Sequence, residues 1–134
     1  MFLTKECDYG IRIIRALADG QKKSVESICA LEHIPNKFAY KIIKKLHNAG
    51  FVQSMRGRDG GYRLVKPLDS FSIYDIISAI DGNLIVFGCL KDDNDCRHRN
   101  KGSDKACPVH LEYERIQSVL DSEMRSKTIS ELMS

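Results

Sequence analysis

The stretch from Ile34 to Val65 constrains the fold of this 134-residue chain more than any other. Pro35 suits the first turn of a helix, where its missing N–H costs nothing. Phe38, Ile42, Ile43 and Leu46 then recur at helical spacing, and the helix runs to about Ala49 and stops at Gly50. Two short β-prone runs follow at once, Phe51–Met55 and Gly61–Val65, joined by Arg56-Gly57-Arg58-Asp59-Gly60. Asp59-Gly60-Gly61 offers the positive-φ positions that a tight hairpin turn needs.

Two helices are expected before this unit. In Thr4–Asp19, Cys7, Ile11, Ile14 and Ala18 fall on one helical face, with Thr4 as cap and Gly20 as terminator. Ser24 caps a shorter helix through Val25, Ile28, Cys29 and Leu31, and Glu32-His33-Ile34 forms a turn. Helix, turn, helix and hairpin in this order predict a mainly α fold with a small β-hairpin wing, a winged helix-turn-helix. Cys7 and Cys29 sit at apolar positions and read as small buried hydrophobes.

The polar residues on this frame point to duplex DNA. Lys37, Lys41, Lys44 and Lys45 lie on or around the outer face of the third helix, with Asn36 and Tyr40 near its start. In the major groove this helix would present Asn36, Lys37, Tyr40, Lys41 and Lys44 to base edges and phosphates. Arg56, Arg58 and Arg63 on the hairpin would reach phosphates or the adjacent minor groove. The glycine-rich turn is not a nucleotide loop: no Lys-Ser/Thr follows it, and it joins two strands rather than a strand and a helix.

Charge supports the same division. Residues 1–67 hold 13 Lys and Arg against 6 Asp and Glu, a net of +7; residues 68–134 hold 8 against 12, a net of −4. A basic half suits a polyanion, so 1–67 reads as the DNA-binding region and 68–134 as a sensor loop and dimerisation helix, both parts of one compact chain. Hydrophobic residues at 43% and charged residues at 29% exclude a disordered chain. No apolar run approaches the roughly 18 residues needed to span a bilayer. The opening residues carry no apolar export signal, so a cytoplasmic location without membrane contact is expected. No nucleophile–base pair or open catalytic metal site is recognisable, which argues against an enzyme.

In the second half, Ser70 or Ser72 starts a helix through Ile73, Ile76, Ile77 and Ile80 that ends near Asp81-Gly82. Leu84–Phe87 reads as a short strand or buried coil, and Gly88–Ala106 as a mobile polar loop. A last helix opens at Pro108 and runs to about Ser126. Its apolar stripe of Val109, Tyr113, Ile116, Leu120 and Met124, broadened by Val119, suits a subunit interface in a chain this short, or else a core helix of the same monomer. Thr128–Ser134 reads as frayed, although Ile129, Leu132 and Met133 could add a contact. Cys89, Cys96 and Cys107 lie in or beside the polar loop, and His110 follows Cys107 at i+3 on the same helical face. Three thiols and an imidazole suit an iron–sulfur cluster, zinc or free redox thiols.

Taken in order, the motifs resemble the IscR/NsrR-type regulators, the Rrf-two family of winged-helix transcription factors. The resemblance lies in Leu3-Thr4, Asp8-Tyr9-Gly10 and Arg15-Ala16-Leu17-Ala18, then in Ile34-Pro35, Phe38, Lys41-Ile42, Leu46 and Ala49-Gly50-Phe51-Val52. Its most specific part is the hairpin, Ser54 to Leu64, and it covers nearly the whole chain. The resemblance implies a homodimer crossed by the long C-terminal helix; operators for such readers are usually two-fold related, and action as a repressor is expected. It implies a two-iron or four-iron cluster on Cys89, Cys96 and Cys107, with His110 or Asp8 of the partner subunit as fourth ligand. The ten residues between Cys96 and Cys107 exceed the family's usual interval and add His98 as an outside candidate. Together these readings predict a dimeric DNA-binding regulator that senses redox, nitric oxide or iron–sulfur status. Two alternatives remain: the same fold using zinc or redox thiols without a cluster, and a protein-interaction module whose basic face meets an acidic protein.

Overall fold

The computed structural model describes residues 3–58, 60–82, 84–91 and 107–134. Local signals set the starts of its first helices. Helix α1 spans Lys5–Ala16, and its N-cap Thr4 accepts from the Cys7 N–H. Helix α2 spans Val25–Glu32 and is capped in the same way by Ser24, through the Ser27 N–H. Each such cap contributes about 1 kcal/mol. His33 ends α2 in the left-handed conformation at φ 54°, and this reverses the chain for helix α3, Asn36–Asn48. Pro35 occupies the N-cap of α3 rather than its first turn.

Strands β1 (Val52–Met55) and β2 (Gly61–Leu64) pair antiparallel, Val52 opposite Leu64 and Met55 opposite Gly61. The turn departs from expectation. Among the described residues of the turn a positive φ falls at Gly57 (133°) and at neither Gly60 nor Gly61, while Asp59 lies outside them; the Gly60 N–H bonds the Gly57 carbonyl at 3.1 Å. Gly61 answers a different need. Lys23 pairs with Tyr62 through hydrogen bonds of 3.0 and 2.8 Å, and a Cβ at Gly61 would overlap the Lys23 carbonyl. The link between α1 and α2 thereby adds a third edge to the wing.

After a short 3-10 turn at Leu68–Ser70, helix α4 spans Ile73–Asp81. Ser72, not Ser70, caps it, in a reciprocal box with Asp75. Its Ile76, Ile77 and Ile80 pack into the same core as Ile13, Ile14, Leu17, Ile28, Ile42, Ile43 and Leu46. Gly10 lets α1 and α4 approach closely, because a Cβ there would overlap Ile80 Cδ1. Phe51 and Phe71 close one side of the core edge to face, their centroids 4.9 Å apart.

Helix α5 spans Pro108–Arg125 and α6 spans Ile129–Met133. The C-terminal residues are not frayed. Thr128 and Glu131 form a capping box, Ile129 is fully buried, and its N–H bonds the Phe71 carbonyl at 2.9 Å. Leu84–Phe87 is coil with Leu84 buried, and Gly88–Leu90 forms a 3-10 turn where a loop was expected. The rest of that predicted loop, 92–106, lies outside the described residues and includes Cys96 and His98.

Candidate nucleic-acid interface and cysteine segment

Helix α3 divides by burial as its periodicity requires. Ala39, Ile42, Ile43 and Leu46 face the core, while Asn36, Lys37, Tyr40, Lys41 and Lys44 are exposed together. Arg56, Arg58 and Arg63 are exposed on the wing and form no ion pair among the described residues. Two outer-face groups of α3 are held by carboxylates of other helices. Tyr40 donates its hydroxyl to Glu26 Oε1 at 2.8 Å, and Lys41 donates to Glu6 Oε1 at 3.0 Å. The Glu26 carboxylate pushes the Tyr40 phenol up, so the hydroxyl keeps its proton and remains a donor.

Lys45 differs from the other lysines and from its expected place on the outer face. It turns inward, donating to Glu6 Oε2 at 3.1 Å and to the Ile80 carbonyl at 3.0 Å. The two ammonium groups hold the Glu6 carboxyl below its usual range, Lys41 contributing most. No local pattern announces this junction, because its hydrogen-bonded partners lie 35 to 39 residues apart. A second tie joins the same turn of α1 to the end of α4: Cys7 Sγ and Thr4 Oγ1 both donate to Asp81 Oδ2, at 3.0 and 3.2 Å. Burial, then the Asp81 hydrogen bond, pushes the Cys7 thiol up and keeps it a donor. Cys7 and Cys29 are both buried, as their apolar positions predicted.

The cysteine segment is anchored by α5. Gln117 grips the Leu84–Phe87 coil with both ends of its amide: Nε2 donates to the Leu84 carbonyl at 2.6 Å, and Oε1 accepts from the Val86 N–H at 2.8 Å. Phe87 stacks on Tyr113 with centroids 3.7 Å apart. Cys89 follows in the 3-10 turn, and Cys107 is the N-cap of α5; both thiols are free and partly exposed. The proposed fourth ligands each have a partner in their own chain. His110 Nε2 lies 3.1 Å from Glu114, and Asp8 pairs with Arg12 at 2.9 Å. The exposed Asp8–Arg12 pair is of a kind that contributes about 0–1 kcal/mol. Among the described residues no group of three or more Cys, His, Asp or Glu side chains gathers. The donor chemistry nevertheless fits an iron–sulfur cluster: two accessible soft thiols flank the segment that carries Cys96.

α5 buries no residue in this chain. Tyr113, Leu120 and Met124 of the expected stripe lean on their own chain, whereas Val109 and Val119 stay exposed together with Leu111, which the stripe did not include.

A three-helix core with an exposed outer helix, flanked by a basic hairpin, defines the winged-helix class of DNA-binding regulator. The family profile described as "Rrf2: Iron-dependent Transcriptional regulator" matches residues 3–134. The chain belongs to the Rrf2 family of transcriptional regulators and is not an enzyme. An HTH-type transcriptional regulator of Haemophilus influenzae is 29% identical over 136 residues, covering 99% of this chain and 87% of that protein. Protein aau3 of Rhizobium meliloti is 30% identical over 93 residues, covering 68% of this chain and 60% of that protein. Among solved structures, CymR, the global cysteine regulator of B. subtilis, superimposes with a TM-score of 0.76 at 24% identity, over 98% of this chain and 95% of its own. IscR of T. potens gives 0.77 at 19% identity, over 98% of this chain and 85% of its own. These likenesses establish the fold. Among the described residues no helix is long and apolar enough to cross a membrane.

Proposed function

We propose that the protein is a homodimeric repressor that reads a two-fold-related operator and senses redox, nitric oxide or iron–sulfur status. The observation that carries this reading is the joint exposure of Asn36, Lys37, Tyr40, Lys41 and Lys44 beside the wing arginines Arg56, Arg58 and Arg63. The α3 residues meet base edges and phosphates in the major groove, and the wing arginines grip phosphates or the neighbouring minor groove. Their charge makes affinity fall steeply with salt. The unburied α5, with Val109 and Val119 exposed, supports pairing with a second copy of the chain.

Cys89, Cys96 and Cys107 would hold a two-iron or four-iron cluster, with His110 or Asp8 of the partner subunit as the fourth ligand. When bound, such a cluster supplies a redox-active and gas-reactive centre. Gln117 and the Phe87–Tyr113 stack fix the chain leading to Cys89 against α5, which couples the ligand segment to the pairing helix. A sensed event shifts DNA binding only by the difference in its free energy between the two protein states.

Anaerobic reconstitution with iron and sulfide tests the cluster. Stoichiometric iron and sulfide are expected in the wild type, with loss of stable loading in Cys96→Ala. Normal loading in that variant would move the third ligand to His98. Buried Cys7 is an unsuitable substitute, so Cys7→Ala should load normally. The fold shared with the B. subtilis global cysteine regulator favours a second reading, in which the loop thiols respond directly or hold zinc. A colourless protein with titratable thiols or bound zinc after reconstitution would support it. Absence of salt-sensitive duplex binding in both forms would favour the protein-interaction module.

A further inference from the structure

Glu6 joins the first turn of α1 to α3, and its two lysine partners are not equivalent. Lys45 has two acceptors, Glu6 and the Ile80 carbonyl, and its side chain is 32% exposed. It fixes the carboxylate in place. Lys41 is 62% exposed and has Glu6 as its one partner among the described residues. It can swing outward without leaving a buried group unsatisfied.

Lys41 also belongs to the exposed set with Lys37, Tyr40 and Lys44. A carboxylate therefore sits beside the surface read as the duplex-binding face, bonded to an ammonium that a phosphate would also seek. An exposed carboxylate–ammonium pair is worth little in water, so exchange for a phosphate is energetically accessible. Once the exchange occurs, Glu6 is left with Lys45 alone and carries negative charge close to the backbone of the DNA.

We propose that Glu6 is an affinity-setting positioning residue for DNA: it occupies the place of a phosphate on Lys41 and lowers sequence-independent binding. The inference rests on α3 being the DNA-reading helix. Each phosphate neutralised on B-DNA changes the slope of log K against log salt by about 0.9. Removing the Glu6 charge should make one further lysine available for that count.

The test is a salt titration of duplex binding with DNA of mixed sequence, followed by fluorescence anisotropy. Glu6→Gln keeps the shape of the side chain and removes its charge. It should bind several-fold more tightly, with a slope steeper by up to about one unit. Lys41→Ala alone should weaken binding, and Glu6→Gln should tighten it clearly less in that background than in the wild type. Lys45 keeps its Ile80 acceptor when Glu6 is changed, so Glu6→Ala serves as a second variant and should give the same steepening. Unchanged or weaker binding by both Glu6 variants, with Lys41→Ala still weakening it, would overturn the inference alone. A Lys41→Ala protein that binds like wild type would overturn the reading of α3 itself, and the inference with it.

Discussion

α3 and α5 are both amphipathic helices, yet α3 buries four residues and α5 buries none. The difference lies in their neighbours. α3 is enclosed by α1, α2, α4 and β1, so its apolar face is spent inside one chain. α5 touches α4 and the coil leading to Cys89, and it leaves Val109 and Val119 in solvent. One helix is positioned by the core and offers a polar face outward. The other leaves Val109, Leu111 and Val119 outward among charged residues and is held by α4 and the segment around Cys89.

Three substitutions probe this contrast, from the largest effect to the smallest. Ile76 is fully buried where α4 meets α1, and Ile76→Ala should cost about 2–5 kcal/mol in denaturant unfolding. A loss below 1 kcal/mol would mean that α4 is not part of the load shared by α1 to α3. Gln117→Ala removes the amide that pairs the Leu84 carbonyl and the Val86 N–H, at a cost of about 1–3 kcal/mol. Amide exchange should quicken at Val86 while the α1–α3 amides keep their protection. Uniform loss of protection would show that the two regions unfold as one unit. Val119→Glu lies at an exposed position of α5 and should change the stability of a single subunit by no more than about 0.5 kcal/mol. Sedimentation should nonetheless show loss of the homodimer proposed above; a dimer of unchanged affinity would exclude this face as its interface.

The same contrast explains what could be read from the residues alone. Thr4, Ser24, Ser72 and Pro108 mark helix starts through chemistry that acts over three or four residues, and all four fall at observed starts. Tertiary distance defeats such reading. Lys45 looks like its lysine neighbours until Glu6 and Ile80 arrive from remote parts of the chain. The positive φ at Gly57 depends on the register of the two strands, which composition does not specify. The C-terminal helix did carry a local signal, Thr128 with Glu131 three residues on. What turned that signal into a fixed element is the burial of Ile129 against residues near Phe71, which only the folded chain displays. For the candidate site, the exposed set on α3 follows from helical spacing, whereas the carboxylate partners of Tyr40 and Lys41 do not.

The pairing of Ser72 with Thr128 has a topological consequence. It ties the chain together just before α4 and just before α6, so everything between them, cysteine segment included, is one loop closed at its base. The entropy of closing such a loop grows only logarithmically, about 0.6 kcal/mol for each doubling of length. A long interval between Cys96 and Cys107 is therefore tolerated by the rest of the molecule at almost no expense. Length in that segment can vary while the wing and its helices keep their geometry.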